Sequence, residues 1–487
     1  MKRTLTAGMV LAALLLTSIS RADTIYVNGT TGNDAWDGLC QEWDGDTCGP
    51  KATIKAGIGA TVNGDTVLVA DGTYTGGGNK NLDFGGRAIT VRSENGSDSC
   101  IIDSEDNGRG FSFQNGEGVD SVVDGLTIRN GWADYGGGVG CWEYSSPTIT
   151  NCTISGNSAY LHGGGVHCYS SSPTITNCTI SGNSAERGGV YCYDSSPTIT
   201  NCTISGNSAD LEGGGVGCGV YRSPTIADCT ISGNSADYAG GGVGCWEYSS
   251  PTITNCTISG NSSNAFGGGG VYCYYYSSPT ITNCTISGNS TTPGSGGVFC
   301  LVSSSPTITN CILWNDTTPE ISGDGSLVVT YCDIQGGWDG EGNIDDDPLF
   351  VDPDGPDDDP DTWEDNDYHL DTGSPCIDTG DPAFEPEPGE TDIDGELCVW
   401  DGDDDGVARV DMGADEYGSY AVGNMNCEGI VNVYDIDGFI LAVSTYPGFE
   451  EYYALYPDCD PMLADVNFDG AVNAYDIDGF IALVGGG

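Results

Sequence analysis

The residues best arranged for chemistry lie near the end of the chain. In DVNFDGAVNAYD, oxygen-bearing side chains recur at loop positions 1, 3, 5, 9 and 12: Asp465, Asn467, Asp469, Asn473 and Asp476. Gly470 supplies a sharp turn and Ala471 offers a backbone carbonyl. This spacing wraps oxygens around one point, as a hard cation with six to eight oxygen ligands requires, so the expected ligand is Ca²⁺. An earlier copy, NMNCEGIVNVYD, sets Asn424, Asn426, Glu428, Asn432 and Asp435 at the same positions, with Gly429 at the turn and Ile430 at the carbonyl. Fewer short carboxylates there predict a weaker site. Both copies continue into IDGFI. After the second, Ile477, Phe480 and Ile481 would give the apolar face of a helix starting at Asp476. Cys427 and Cys459 are placed to staple the two copies.

A second set is aromatic. The phrase GGGVxC, or a close variant, ends at Cys141, Cys168, Cys192, Cys218, Cys245, Cys273 and Cys300. Residues flanking these cysteines would point outward, among them His167, Tyr191, Tyr272 and Phe299. The candidate ligand-binding rings are Trp142, Tyr144, Tyr169, Tyr193, Trp246, Tyr248 and Tyr274. A strip of exposed rings suits sugars, whose CH faces pack on π faces. The alternative is that these rings only cover strand surface.

What must position these residues is a repeat. SPTITNCTISGNSA begins at Ser146 and recurs from Ser172, Ser196, Ser223, Ser250 and Ser278, with a decayed copy from Ser305. It alternates with the glycine-rich phrase. Each copy offers three short strands of period two, and none can bury its apolar side alone. Three strands per turn and one turn per repeat make a parallel β-helix rising about 4.8 Å per turn. The inward columns would be Val, Cys, Ile, Cys and Ile, for example Val166, Cys168, Ile175, Cys178 and Ile180. Asn151, Asn177, Asn201, Asn255, Asn283 and Asn310, with Asp228 among them, would hold one corner in left-handed backbone. Asn157, Asn183, Asn207, Asn234, Asn261 and Asn289 would stack at another. The two cysteine columns fit either disulfides or buried thiols.

GGGVxCxxSSPTITNCTISGNSA resembles the repeats of right-handed parallel β-helix proteins, the architecture of pectate lyases, polygalacturonases and many bacterial surface proteins. The fold class implied is all-β, a right-handed parallel β-helix with an N-terminal helix cap, an acidic C-terminal cap and a small α-helical tail. ATIKAGIGATVNGDTVLVADGTY, Ala52 to Tyr74, resembles the helix cap and first coil of secreted members, with Ile54, Ile58 and Val62 on one helix face and Cys40 paired to Cys48. NIDDDPLFVDPDG, YHLDTGSPCIDTGD and VDMGADEY resemble the C-terminal block of such proteins. Acids there, notably Asp401, Asp403, Asp404 and Asp405, are a further Ca²⁺ candidate beside the reading of a solvated acidic loop. The duplicated loop resembles a type I dockerin over about Val422 to Val484, an EF-hand-like module that binds Ca²⁺ and docks onto cohesins. The positions where that family shows Ser or Thr hold Val433-Tyr434 and Ala474-Tyr475, and neither helix carries Lys or Arg.

Composition bounds the rest. The chain has 487 residues and 71 acids against 13 bases, a formal charge of −58. Phosphate-bearing partners would be repelled, so nucleic acid is excluded. Lys2 and Arg3 precede an apolar run from about Ala7 to Ile19, and Ser20-Arg21-Ala22 suits cleavage, so 1–22 reads as a signal peptide and the protein as secreted or held at the cell surface. No later stretch is long and apolar enough to span a bilayer. The expected division is 23–75 for the N-terminal cap and first coil, 76–335 for the β-helix, 336–418 for the acidic cap and 419–487 for the dockerin-like tail. No catalytic constellation stands out: Arg129, Arg187 and Arg222 are the only bases in the regular turns, and His162 and His167 read as surface residues. The functional expectation is a non-catalytic binding or structural rod with a calcium-binding tail, its partners a polysaccharide or cell-surface glycan and, through the tail, a cohesin-like protein. The alternative is a polysaccharide lyase or glycosidase on the same fold, with a site in the front coils around Arg87, Arg92, Asp103 and Arg109.

Overall fold

A computed structural model describes residues 22–355, 363, 366–386, 390–403, 406–418, 423–425, 431, 433–456, 459, 461–464, 466 and 472–485. Short strands stack in parallel into four ladders. One of twelve strands runs from Thr24–Val27 to Val328–Thr330 and contains every Thr-Ile-Thr. One of eleven runs from Gly72–Tyr74 to Asp333–Ile334 and contains every Thr-Ile-Ser. The nine-stranded ladder, Phe111–Phe113 to Ile321–Gly323, carries the glycine-rich phrase. A fourth ladder of seven strands, Trp132–Tyr135 to Ser290–Thr291, corrects the expectation of three strands per turn. Its strands bury little beyond one small residue each, such as Ala159, Ala185, Ala209 and Ala236.

Like residues pair in register up the rod. Cys141 lies opposite Cys168, which lies opposite Cys192, and Ile149 opposite Ile175. The inward columns merge into one core from Val27 to Ile334. Each buried Ile or Val contributes about 1.5–3 kcal/mol, and the stack removes the exposed apolar face that a single turn would leave. The column cysteines are buried free thiols, which decides the open alternative. Burial pushes the thiols of Cys256, Cys273 and Cys311 well above the ordinary range. Cys40 and Cys48 are disulfide-bonded, and so is Cys459, whereas Cys427 lies outside the described residues.

Both asparagine columns do structural work. Asn151 to Asn310, with Asp228, have φ between +49° and +53°. In the second column Nδ2 of Asn157 donates to Oδ1 of Asn183 at 3.0 Å, and the pattern continues through Asn207, Asn234, Asn261 and Asn289 to Asp316. Each asparagine rung from Asn157 to Asn289 is buried and bonded to the next, so it fixes the corner without leaving an orphaned amide.

At the front, the helix Ile54–Ala60 packs Ile54 and Ile58 inward, with Thr53 Oγ1 accepting from the Ala56 amide as N-cap. Val62 lies beyond the helix end and is exposed, contrary to the expected face. Alongside the rod rather than capping its end, the segment from Asp378 to Tyr417 bonds to Asn255, Thr285 and Asn310 of the turns and is built on a different principle. Buried carboxylates take the place of a strand ladder as acceptors for backbone amides. Glu416 accepts from Trp400 and Asp411, Asp411 from Asp378 and Tyr417, and Asp392 from Asp394, Glu396 and Glu416. Much of this acidity is therefore internal rather than solvated. In the tail, the helices Ile436–Thr445 and Ile477–Gly485 meet through Phe439 and Phe480, stacked at 3.9 Å. Ile477 and Ile481 are exposed, so only Phe480 of the expected helix face turns inward. No helix among the described residues is long and apolar enough to cross a membrane.

Candidate functional site

The glycine-rich ladder aims alternate residues outward, and the fourth ladder stands beside it. Together they form an aromatic edge that divides into parts. In the front part, the fourth ladder carries Tyr135 opposite His162 and His162 opposite Arg187. The glycine-rich ladder carries Gly140 opposite His167 and His167 opposite Tyr191. A side chain at Gly140 is impossible without movement, because an ideal Cβ would lie 1.8 Å from the Trp142 ring. Trp142 therefore folds back over its own strand. Tyr169 and Tyr193 stack at 5.5 Å with planes 4° apart. Gly219 follows Tyr193 on the next turn and adds no ring.

The result is a pocket of about 350 Å³ lined by Tyr135, Trp142, His162, His167, Tyr169 and Tyr193. His167 forms its floor, 2% exposed, with Nδ1 lacking any hydrogen-bond partner. Burial lowers the His162 pKa to about 4 and that of His167 to about 3, so both imidazoles are neutral at physiological pH. The Arg109 guanidinium sits 4.7 Å from the Trp142 ring centroid and donates to the carbonyls of Gly136 and Tyr135. Arg187 pairs with Glu212 at 3.3 Å.

Farther along, exposed rings form a second array. Tyr248 stacks on Tyr221 at 5.2 Å and on Tyr276 at 5.3 Å, both nearly parallel. All three stand in left-handed turns, as does Tyr144. Tyr144 is exposed but has no stacked ring, since the next two turns are shorter and carry Ser170 and Asp194 there. Tyr274 is partly exposed and stacks on the buried Tyr272. Trp246 overturns the expectation of exposure. It is 8% exposed and packs with Ala239 and Tyr272. His167 and Tyr191 are buried too, against Tyr135 and His162 of the fourth ladder, and Tyr272 is buried against Trp246 and Phe299. Sequence reasoning missed Tyr135, Tyr221 and Tyr276 as site residues. The signal available for Tyr221 and Tyr276 was the longer turn they share with Tyr248.

The front coils do not bring their charged residues together as one site. Arg87 donates to the carbonyls of Phe84, Ile58 and Thr61. Arg129 pairs with Asp103 at 3.1 Å, and Arg92 lies opposite Asp124. A separate cleft of about 430 Å³ separates the Thr-Ile-Ser ladder from the residues around Tyr368 and Asp394. There Asp394 and Asp367 bind His369 and raise its pKa to about 10, which makes it an imidazolium and no base. Asp378, Asp401 and Asp403 bring carboxylate oxygens within 4.8 Å of one another, while Asp404 and Asp405 lie outside the described residues.

Of the calcium-loop residues, Asn426, Glu428, Ile430, Asn432, Asp465, Asn467, Asp469 and Ala471 lie outside the described residues. Asn424, Asp435 and Asp476 are fully buried, and Asp476 accepts from the Asn473 amide at 2.8 Å. In the first copy, buried oxygen donors at the first and last loop positions, Asn424 and Asp435, fit a hard cation.

A family model described as a right handed beta helix region matches residues 66–226 and 164–336, more than half of the chain. The chain belongs to that family. Among solved structures, pectate lyase Pel9A shares 18% identity with a TM-score of 0.54, over 82% of this chain and 98% of that one. A rhamnogalacturonan lyase aligns at 12% identity and TM-score 0.36, over 72% and 97%. A mannuronic acid-specific family 6 polysaccharide lyase from human gut microbiota aligns at 14% and 0.29, over 59% and 79%. No curated protein matches the chain.

Proposed function

We propose that this chain is an exported β-helix rod that binds polysaccharide or cell-surface glycan along its aromatic edge and carries a calcium-binding, dockerin-like tail. The observation that carries the reading is the pair of outward ring arrays, Tyr169–Tyr193 and Tyr221–Tyr248–Tyr276, set one turn apart on a rigid scaffold. Stacked this closely, the inner ring faces cover one another, so the arrays offer successive sugars a fixed row of ring edges and phenol hydroxyls, with little entropy to lose. Export is supported by the basic and apolar start of the chain. Calcium binding is supported by the duplicated loop spacing and the buried end ligands. Docking by the tail is supported by Tyr434 and Tyr475, exposed at the same loop position, and by Ile440 and Ile481, exposed one helix turn on. Such a surface suits an apolar patch on a cohesin-like partner.

A glycan array probed with the full chain tests the reading. Binding is expected, and Tyr169→Ala combined with Tyr248→Ala should remove it; a silent array, or a double variant that binds unchanged, overturns it. The alternative, a lyase or glycosidase, is tested on the same preparation. New unsaturated or reducing ends from pectate or alginate, lost in Arg92→Ala, would establish it in place of the non-catalytic reading.

A further inference from the structure

The pocket in front of Tyr169 is built for something narrower than sugars in general. Its six lining residues are all aromatic or imidazole, and none is an acid. Its cations are committed. Arg109 is tied to two carbonyls and to the Trp142 face, and Arg187 to Glu212. Both imidazoles are uncharged at neutral pH. A uronate carboxylate entering here would shed water and meet no free positive charge, in a chain of formal charge −58. An uncharged ring carries no such penalty.

Two features would hold such a ring. Trp142 has left its rung to cover Gly140, so the Tyr169 face turned away from Tyr193 stays uncovered. His167 lines the pocket, and its Nδ1 has no partner although it is shut off from solvent, so a hydroxyl reaches it only as a neighbouring ring shifts aside. An orphaned buried polar atom in a pocket wall costs free energy until a ligand group satisfies it. Tyr135, Tyr169 and Tyr193 add hydroxyls around the same space. The volume, about 350 Å³, is at the small end of ligand pockets.

We infer that this pocket is a subsite for one uncharged pyranose unit of the bound glycan, packed on Tyr169 and Trp142 and hydrogen-bonded through a hydroxyl to His167 Nδ1. This rests on the glycan-binding reading above and names the sugar class of that site.

Calorimetry with the full chain, using oligomers of uncharged hexoses and pentoses beside oligogalacturonate and oligomannuronate, tests it. Uncharged oligomers should bind and uronate oligomers should not. Tyr169→Ala and His167→Phe should each weaken binding about tenfold. Phe is the residue at this rung in another turn, Phe299, so His167→Phe is expected to fold, and an unchanged unfolding midpoint separates lost recognition from lost structure. Equal affinity for uronates overturns the inference. So does unchanged affinity in both variants when Tyr248→Ala abolishes binding, an outcome that leaves the glycan-binding reading standing. No binding of either class overturns both.

Discussion

The tetrapeptide Cys-Trp-Glu-Tyr occurs twice, at Cys141–Tyr144 and Cys245–Tyr248, and its two tryptophans meet opposite fates. Trp142 lines an open pocket, and Trp246 is buried. Both rings fold over a glycine, Gly140 or Gly244, so the local sequence acts alike in each case. What differs is the neighbourhood. The fourth-ladder column reads Tyr135, His162, Arg187, Glu212 and Ala239 up the rod. At the front, Tyr135 and His162 are bulky and stand off the floor. At the back, Ala239 is small and Tyr272 closes over Trp246. A repeat sets where a ring is, and the adjacent turn decides whether it becomes a wall or a filling.

The comparison breaks first on stability. Trp246→Ala should cost about 3–5 kcal/mol in denaturant unfolding, as a cavity among Ala239 and Tyr272, while Trp142→Ala should cost under about 2 kcal/mol. Equal losses would mean that the two rings are packed alike.

The next test is pH. The His167 pKa falls from 6.5 to about 3 on folding, mainly through burial, with His162 and Arg109 adding like charge. Between these values the unfolded chain binds a proton that the folded chain does not. The stability is therefore fully present above pH 6.5 and lost as pH falls toward 3. His162, lowered to about 4, and the buried acids Asp392 and Asp411, raised to about 7 and 8, titrate in both the native chain and His167→Phe, so the test is the difference. In unfolding midpoints, the stability gap between the two chains should change by on the order of 3 kcal/mol between pH 6.5 and 4, against the native chain. At the back the same column holds Tyr272, whose pKa burial pushes up, so it adds nothing in this window.

A smaller effect is expected at the glycines. An ideal Cβ at Gly244 lies 1.9 Å from the Trp246 ring, which has no room to yield, so Gly244→Ala should cost about 1–3 kcal/mol. Gly140→Ala should cost less than about 1 kcal/mol, because Trp142 can swing into the pocket. The smallest effect belongs to Arg109→Gln, which removes a cation from the Trp142 face and should cost about 0.5–1 kcal/mol with a shift in tryptophan fluorescence.

Sequence legibility followed the same division. Residues whose role repeats every turn were readable: Val166, Cys168, Ile175, Cys178 and Ile180 all face the core, and Asn177 takes the left-handed turn expected of it. The fourth strand was missed because Ser-Ala-x buries one small residue per turn and gives no apolar alternation. Trp246 was misread because its exposure depends on Ala239 and Tyr272, which its own strand does not specify. His167 reads as a surface residue in the sequence for the same reason. The buried acids Asp392, Asp411 and Glu416 look in sequence like a solvated run, and only the amides they accept from reveal otherwise.

The most direct test of the account is a crystal structure of the full chain with an uncharged oligosaccharide selected on the glycan array. The account predicts one sugar ring against Tyr169 and Trp142 with a hydroxyl at His167 Nδ1. Sugar seated only in the cleft beside His369, or a complex in which the aromatic edge stays bare, would contradict it.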